Sequence, residues 1–154
     1  MGDVARGCAE DGGPVRGTEA DTRPYALLTP KELGRAGEDL AARYLEDRGY
    51  RIIDRGYRCP AGEADIIAYD ELSDRIVLAE VKTRRLKSAR MQVFPEEAVD
   101  GRKRARYHRI AACYAMDHFP TCAIRFDVVG IRIVQGELEG IEHLEAAFDW
   151  DAAL

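Results

Sequence analysis

Nowhere in this chain do uncharged apolar residues run to the 18 or so that a membrane-spanning helix needs, which excludes a helical membrane protein. Closely spaced cysteines are missing too. Cys8, Cys59, Cys113 and Cys122 stand far apart with no Cys-x-x-Cys, which argues against a zinc site and against a disulfide frame. The opening Met1-Gly2-Asp3-Val4-Ala5-Arg6 has neither the basic nor the apolar stretch that directs secretion, so a cytoplasmic protein with reduced thiols is expected. No internal repeat or low-complexity tract occurs. What remains is a chain of 154 residues, 46% hydrophobic and 33% charged, which is not the composition of a collagen, a mucin or a wholly disordered chain. At this length roughly 70% of the unfolded surface can be buried, enough for one self-sufficient domain.

The net charge of −5 hides a division. From Arg84 to Arg109 there are nine Lys/Arg against three acids, a local excess of +6, whereas from Gln135 onward there are six acids and no Lys or Arg. Such asymmetry suits one face that meets a polyanion, although a solvated helix face accounts for it equally well.

Residues 1–28 hold five glycines and two prolines without apolar periodicity. They read as a disordered tail whose removal should cost little stability. A single domain is expected over 29–150. It opens at Thr29-Pro30-Lys31-Glu32, where Thr29 suits an N-cap, Pro30 the first helical position, and Glu32 completes a capping box. Leu33, Gly37, Leu40, Ala41, Tyr44 and Leu45 recur at helical spacing and Gly49 supplies the stop, which predicts a helix over about 30–48. Glu38 falls on the rim of that apolar stripe, among the small residues Gly34, Ala41 and Ala42.

Strands are predicted at 50–54, 63–69 and 75–83, with a turn or bulge at 56–60 and a polar hairpin loop at 70–74. The segment 84–94 reads as basic and irregular, and Pro95 opens a helical stretch through Val99. A long helix follows at about 101–117 with Ala105, Ile110, Ala111 and Tyr114 facing inward. A fourth strand is predicted at 123–131, then a weaker one near 131–134 or slightly later. The order α-β-β-β-α-β-(β) is that of an α/β or α+β mixed fold, a small mixed sheet flanked by helices.

The third strand contradicts itself. Ile76, Val77, Leu78, Ala79 and Val81 suit a buried central strand, yet Glu80 and Lys82 interrupt it, and alternation sets both charges on one face. The second strand repeats the pattern with Asp65 among Ala64, Ile66, Ile67 and Ala68. Charges sit within core strands when they are paired or hold a metal, so these three residues form either a catalytic cluster or a buried ion pair.

Gly37-Glu38, Gly49-Tyr50, Arg58, Gly62-Glu63-Ala64-Asp65-Ile66-Ile67-Ala68, Ala79-Glu80-Val81-Lys82-Thr83-Arg84, Pro95, Glu97-Ala98-Val99, Lys103 and Arg125-Phe126-Asp127-Val128 occur here in that order. This pattern, with Ile141-Glu142-His143-Leu144 and Ala147-Phe148 near the end, resembles the YraN-like family of bacterial proteins. That family is similar to Holliday-junction resolvases and groups with the PD-(D/E)xK nuclease folds. The resemblance runs over about 33–148 and implies a restriction-endonuclease-like core. It places Asp65 in the "D" position, Glu80 and Lys82 in "ExK", and Glu38 as the helix-borne acid. Ala64 departs from the bulkier aliphatic usual between Glu63 and Asp65.

The function so implied is metal-dependent endonuclease activity on branched or junction DNA. Asp65 and Glu80 offer hard oxygen ligands for Mg²⁺ or Mn²⁺, with Glu38 as a further ligand or hydrogen-bond partner and the Val81 carbonyl as a third donor. Lys82 would orient water or balance developing charge. Glu63, two residues before Asp65, is either a fifth member or a solvated strand-edge acid. Arg102, Lys103, Arg106 and Arg109 share one helix face suited to phosphates, and Arg84, Arg85 and Lys87 leave the charged strand toward the same side. Tyr107 and His108 read as packing or solvent residues, His118 and His143 as bland, and Asp127 as the structural partner of an arginine. A non-catalytic nucleic-acid binding module and a protein that meets an acidic partner through the basic helix stay open. Junction cleavage would call for a homodimer.

Overall fold

The Thr29 side chain accepts the Glu32 N–H at 3.3 Å, and the Glu32 carboxylate accepts the Thr29 N–H at 2.8 Å. This reciprocal cap starts α1 (Pro30–Asp47) with Pro30 in its first turn. Gly49, at φ +88°, carries the chain out of the helix. The computed structural model describes residues 24–88 and 100–148. After α1 come β1 (Tyr50–Cys59), β2 (Gly62–Asp70), β3 (Arg75–Leu86), α2 (Gly101–Asp117), β4 (Ala123–Val134) and β5 (Glu137–Phe148).

The strands form one sheet in chain order, antiparallel throughout except that β3 and β4 run parallel from Arg75↔Ala123 to Leu86↔Val134. Parallel neighbours need a crossover, and α2 lies on it. On one face α1 packs Leu33, Ala41 and Leu45 against Ile66, Ala68, Val77, Ala79, Val129 and Ile131. On the other, Tyr107, Ile110, Ala111 and Tyr114 of α2 cover Ala64, Ile67, Ile76, Leu78 and Phe126. Being covered on both faces, β2 and β3 need apolar residues at successive positions, which is why their sequences do not alternate. A mixed sheet between two helices is the restriction-endonuclease-like core that the motifs implied.

Several elements differ from their sequence signature. β1 does not end near Asp54: a register slip between Ile52 and Asp54 makes a bulge, and Gly56 (φ +66°) lets the strand run on to Cys59. β3 reaches Leu86 because β4 pairs with it along its whole length. Ala105 is exposed, and Tyr107 takes the inward place on α2. Residues 131–134 belong to β4, and β5 is a full strand further on. Residues 24–28, assigned to the tail, pack on the domain: Tyr25–Leu27 form a 3₁₀ turn and Leu28 is buried. The rest of that tail (1–23), the end of the basic stretch with the helical stretch after it (89–99), and the last positions of the expected domain (149–150) lie outside the described residues. Among the described residues no helix is long and apolar enough to cross a membrane.

The sheet is tied by a buried polar cluster on Arg125. Its Nε and Nη2 donate to the two Asp127 carboxylate oxygens at 2.8 Å each, Nη1 donates to Asp70 at 2.8 Å, and Nη2 also donates to the Tyr50 hydroxyl at 2.9 Å. Asp127 further accepts the Ala146 N–H at 3.0 Å and meets His143 Nε2 at 2.8 Å. One guanidinium thus joins β1, β2, β4 and, through Asp127, β5. Burial alone would raise Asp127, but hydrogen bonds from His143, Arg125 and Ala146 hold its carboxyl below the usual range. Burial also works against Asp70, which Ser73, Arg125 and the Leu72 N–H bring down.

Arg125→Met strands two buried carboxylates, so a loss of about 3–5 kcal/mol is expected in urea denaturation at pH 7, with an unchanged m-value. Both acids have folded pKa values below their unfolded ones. Their contribution is therefore complete above about pH 4 and disappears as pH falls below it, so the gap between wild type and variant should narrow in acid.

Candidate active site

β2 and β3 pair from Asp70↔Arg75 to Ile66↔Ala79 and then part. The same register would set Asp65 directly across from Glu80. Backbone pairing stops there, and the Asp65 carboxylate takes over, accepting the Val81 N–H at 2.8 Å. α1 brings the third acid. Gly37 lies so close to β3 that a Cβ on it would fall 1.7 Å from Thr83 Oγ1, and this approach lays Glu38 beside the parted strands. Between the start of α1 and the ends of β2 and β3 opens a cleft of about 460 Å³. Glu38, Asp65 and Glu80 line it, with Val81, Thr83 and Arg84 on its wall.

The electrostatics are those of crowded negative charge. Burial pushes the Asp65 carboxyl up to about 7, Glu80 adds to this, the Val81 N–H opposes it, and Glu38 and Glu63 add more. Glu38 is raised by burial as well; Arg55 opposes that, while Glu63 and Asp39 reinforce it. Lys82 is lowered by burial and then by Lys103 and Arg84, with Glu80 working the other way. Glu80 meets two groups of α2: Lys103 Nζ lies 3.3 Å from Oε1, and the Tyr107 hydroxyl donates to Oε2.

The predicted residues therefore divide. Glu38, Asp65 and Glu80 share the cleft, and Lys82 stands toward α2 beside Lys103. Glu63 is exposed and paired with Arg58 at 3.0 Å, as a strand-edge acid would be. The supposed phosphate face is not uniform. Arg102 and Arg109 are exposed, Lys103 is engaged with Glu80, and the stem of Arg106 lies over Gly62. Arg84 and Arg85 both border the cleft, the Arg85 guanidinium donating to the carbonyls of Tyr25 and Leu28, and Lys87 is exposed beyond β3. Asp127 pairs with Arg125, as expected, but His143 is not bland, since it joins that buried cluster. Tyr107 is the residue that sequence reasoning missed. Its signal was a position one helical turn beyond Lys103, on the same side of α2.

Among the described residues no three His, Cys, Asp or Glu side chains stand together as a ready-made metal nest. The donor chemistry nonetheless suits a divalent cation. Asp65 and Glu80 are hard oxygen ligands, and a cation between them would offset both the burial that chiefly raises Asp65 and the repulsion from Glu80 that adds to it.

A family model described as "Uncharacterised protein family UPF0102" matches residues 37–131. A UPF0102 protein of Renibacterium salmoninarum is 45% identical over 119 residues, covering 77% of this chain and 97% of its own length. One from Moorella thermoacetica is 42% identical over 123 residues, covering 79% and 98%. A third, from Nocardia farcinica, is 44% identical over 117 residues, covering 75% and 88%.

The folded pKa of Asp65, about 7, lies above its unfolded value near 3.9, so ionising it opposes folding, and the penalty grows as pH rises between those values. Asp65→Asn keeps an acceptor for the Val81 N–H and removes the charge. Without added metal it should equal wild type near pH 4 and exceed it at pH 8 by at most about 4 kcal/mol, less where water screens the site. Urea denaturation at pH 4, 6 and 8 measures this.

Proposed function

The chain belongs to the uncharacterised protein family UPF0102, and from that premise we propose that it is a metal-dependent, structure-selective DNA endonuclease. The observation that carries the proposal is the parting of β2 from β3, which leaves the Asp65 and Glu80 carboxylates side by side on one cleft. In this reading Asp65 and Glu80 hold Mg²⁺ or Mn²⁺, with Glu38 beside them. A metal there supplies charge neutralisation and an acidified water. Asp65, kept in place by the Val81 N–H, fixes the geometry. Lys82, in which burial favours the neutral amine, would take the proton that the attacking water loses. Arg84 on the cleft wall meets a flanking phosphate. Cutting two strands of a branched substrate takes two copies of the chain.

A non-catalytic nucleic-acid module is the second reading, and the engagement of both Glu80 oxygens by α2 favours it. Incubation with Mg²⁺ or Mn²⁺ and branched, duplex or single-stranded DNA separates the two. Cleavage of branched DNA is expected, slowed by orders of magnitude in Asp65→Asn and Glu80→Gln, since a metal contributes several kcal/mol at about 1.4 kcal/mol per tenfold. Intact DNA in every condition would overturn the nuclease reading.

Among the cations of α2, Arg102 and Arg109 are the two that stand exposed to solvent on the basic face. Their joint change to Ala should flatten the log–log salt dependence of DNA affinity by about 1.8, at about 0.9 for each phosphate no longer neutralised. Arg85→Ala should leave that slope alone and lower the melting temperature, because its guanidinium is committed to Tyr25 and Leu28.

A further inference from the structure

Glu80 is held by α2 at both carboxylate oxygens. Lys103 Nζ lies 3.3 Å from Oε1, and the Tyr107 hydroxyl donates to Oε2 from one helical turn further on. The pair is neither sealed nor free: 14% of the Glu80 side chain and 26% of the Lys103 side chain are exposed. Lys103 also faces the ammonium of Lys82, so it holds Glu80 against a like charge. It sits in the first turn of α2, next to Arg102, whose side chain is open to solvent.

Resting on the nuclease reading above, we infer that Lys103 is an exchangeable counter-ion. It neutralises Glu80 in the free protein and passes to a backbone phosphate when nucleic acid binds, which leaves Glu80 free to join Asp65 as a ligand for a divalent cation. The exchange leaves both members of the original pair with a partner. Lysine–carboxylate becomes lysine–phosphate and carboxylate–cation, and no half-buried charge is left alone at either stage. The flexible four-carbon stem of lysine suits such a move better than a planar guanidinium would. Tyr107 stays as the donor that orients Glu80. The absence of a ready-made metal nest among the described residues is then a property of the DNA-free state. Nucleic acid and metal bind cooperatively, each tightening the other by one shared factor.

The test is calorimetric titration of Mn²⁺ into the full chain, with and without a saturating phosphorothioate DNA duplex, which resists hydrolysis. Wild type should bind Mn²⁺ about fivefold or more tightly when the duplex is present, within the usual range of coupling between sites. Lys103→Met should bind Mn²⁺ more tightly than wild type without DNA and show most of that coupling abolished. Lys103→Gln provides a second neutral variant should the first fold poorly. Arg104→Met, which removes one exposed cation from the same helix, should keep the wild-type coupling. Wild-type coupling in both Lys103 variants, or equal loss in Arg104→Met, overturns the exchange while leaving the nuclease reading standing. No Mn²⁺ binding to any form, with or without the duplex, overturns both.

Discussion

The candidate site exists because β2 cannot stay paired with β3 beyond Ile66↔Ala79. At the next step two acids would face each other across a narrow rung, and like charges directly opposite are unfavourable in a sheet. The chain resolves this by letting the strands diverge and having the Asp65 carboxylate take the Val81 N–H that the ladder no longer uses. A half-buried backbone donor is satisfied, the cleft opens, and the acids line it. The site's position and its charge have one cause. α1 contributes by proximity: with no side chain at Gly37 to hold it off Thr83, the helix can bring Glu38 to the same opening.

Asp65 and Asp127 show how the fold treats inward carboxylates in opposite ways. Asp127, 1% exposed, is met by a guanidinium, an imidazole and a backbone N–H, and its pKa falls despite burial. Asp65 has a single N–H and three acids in its surroundings, and its pKa climbs to about 7. The first is a solved electrostatic problem that holds strands together. The second is left unsolved on the lining of a cleft, as binding and catalytic sites commonly are. The difference is one of partners rather than of depth.

Much of this was legible in the sequence where the cause is local. The capping box at Thr29 and Glu32, the Gly49 stop, and the charges that break the apolar runs of β2 and β3 all act within a few residues, and each appears in the structure. What escaped depends on distant parts of the chain. Nothing near Arg85 announces that the carbonyls of Tyr25 and Leu28 will take its guanidinium. The depth of Tyr107 and the exposure of Ala105 are set by how α2 rolls on the sheet, and two inward patterns fit the same helical period. β1 outran its apolar signal because its length is dictated by its hairpin partner β2. Family resemblance placed Glu38, Asp65, Glu80 and Lys82 together, but not the engagement of Glu80 by α2.

The sheet also keeps two apolar clusters apart, one beneath α1 and one beneath α2. A change of side-chain volume in one is therefore taken up by its own helix before it reaches the other. Over evolutionary time the two halves of the interior can drift on separate schedules, with α1 repacked against Ile66 while α2 keeps its old neighbours around Phe126. The central strands do not enjoy this freedom: β3 gives Val77 and Ala79 to one cluster and Ile76 and Leu78 to the other, and β2 divides Ile66 and Ala68 from Ala64 and Ile67 in the same way. Divergence in this fold should run slowest along those strands for reasons of packing alone, before chemistry adds any further restraint.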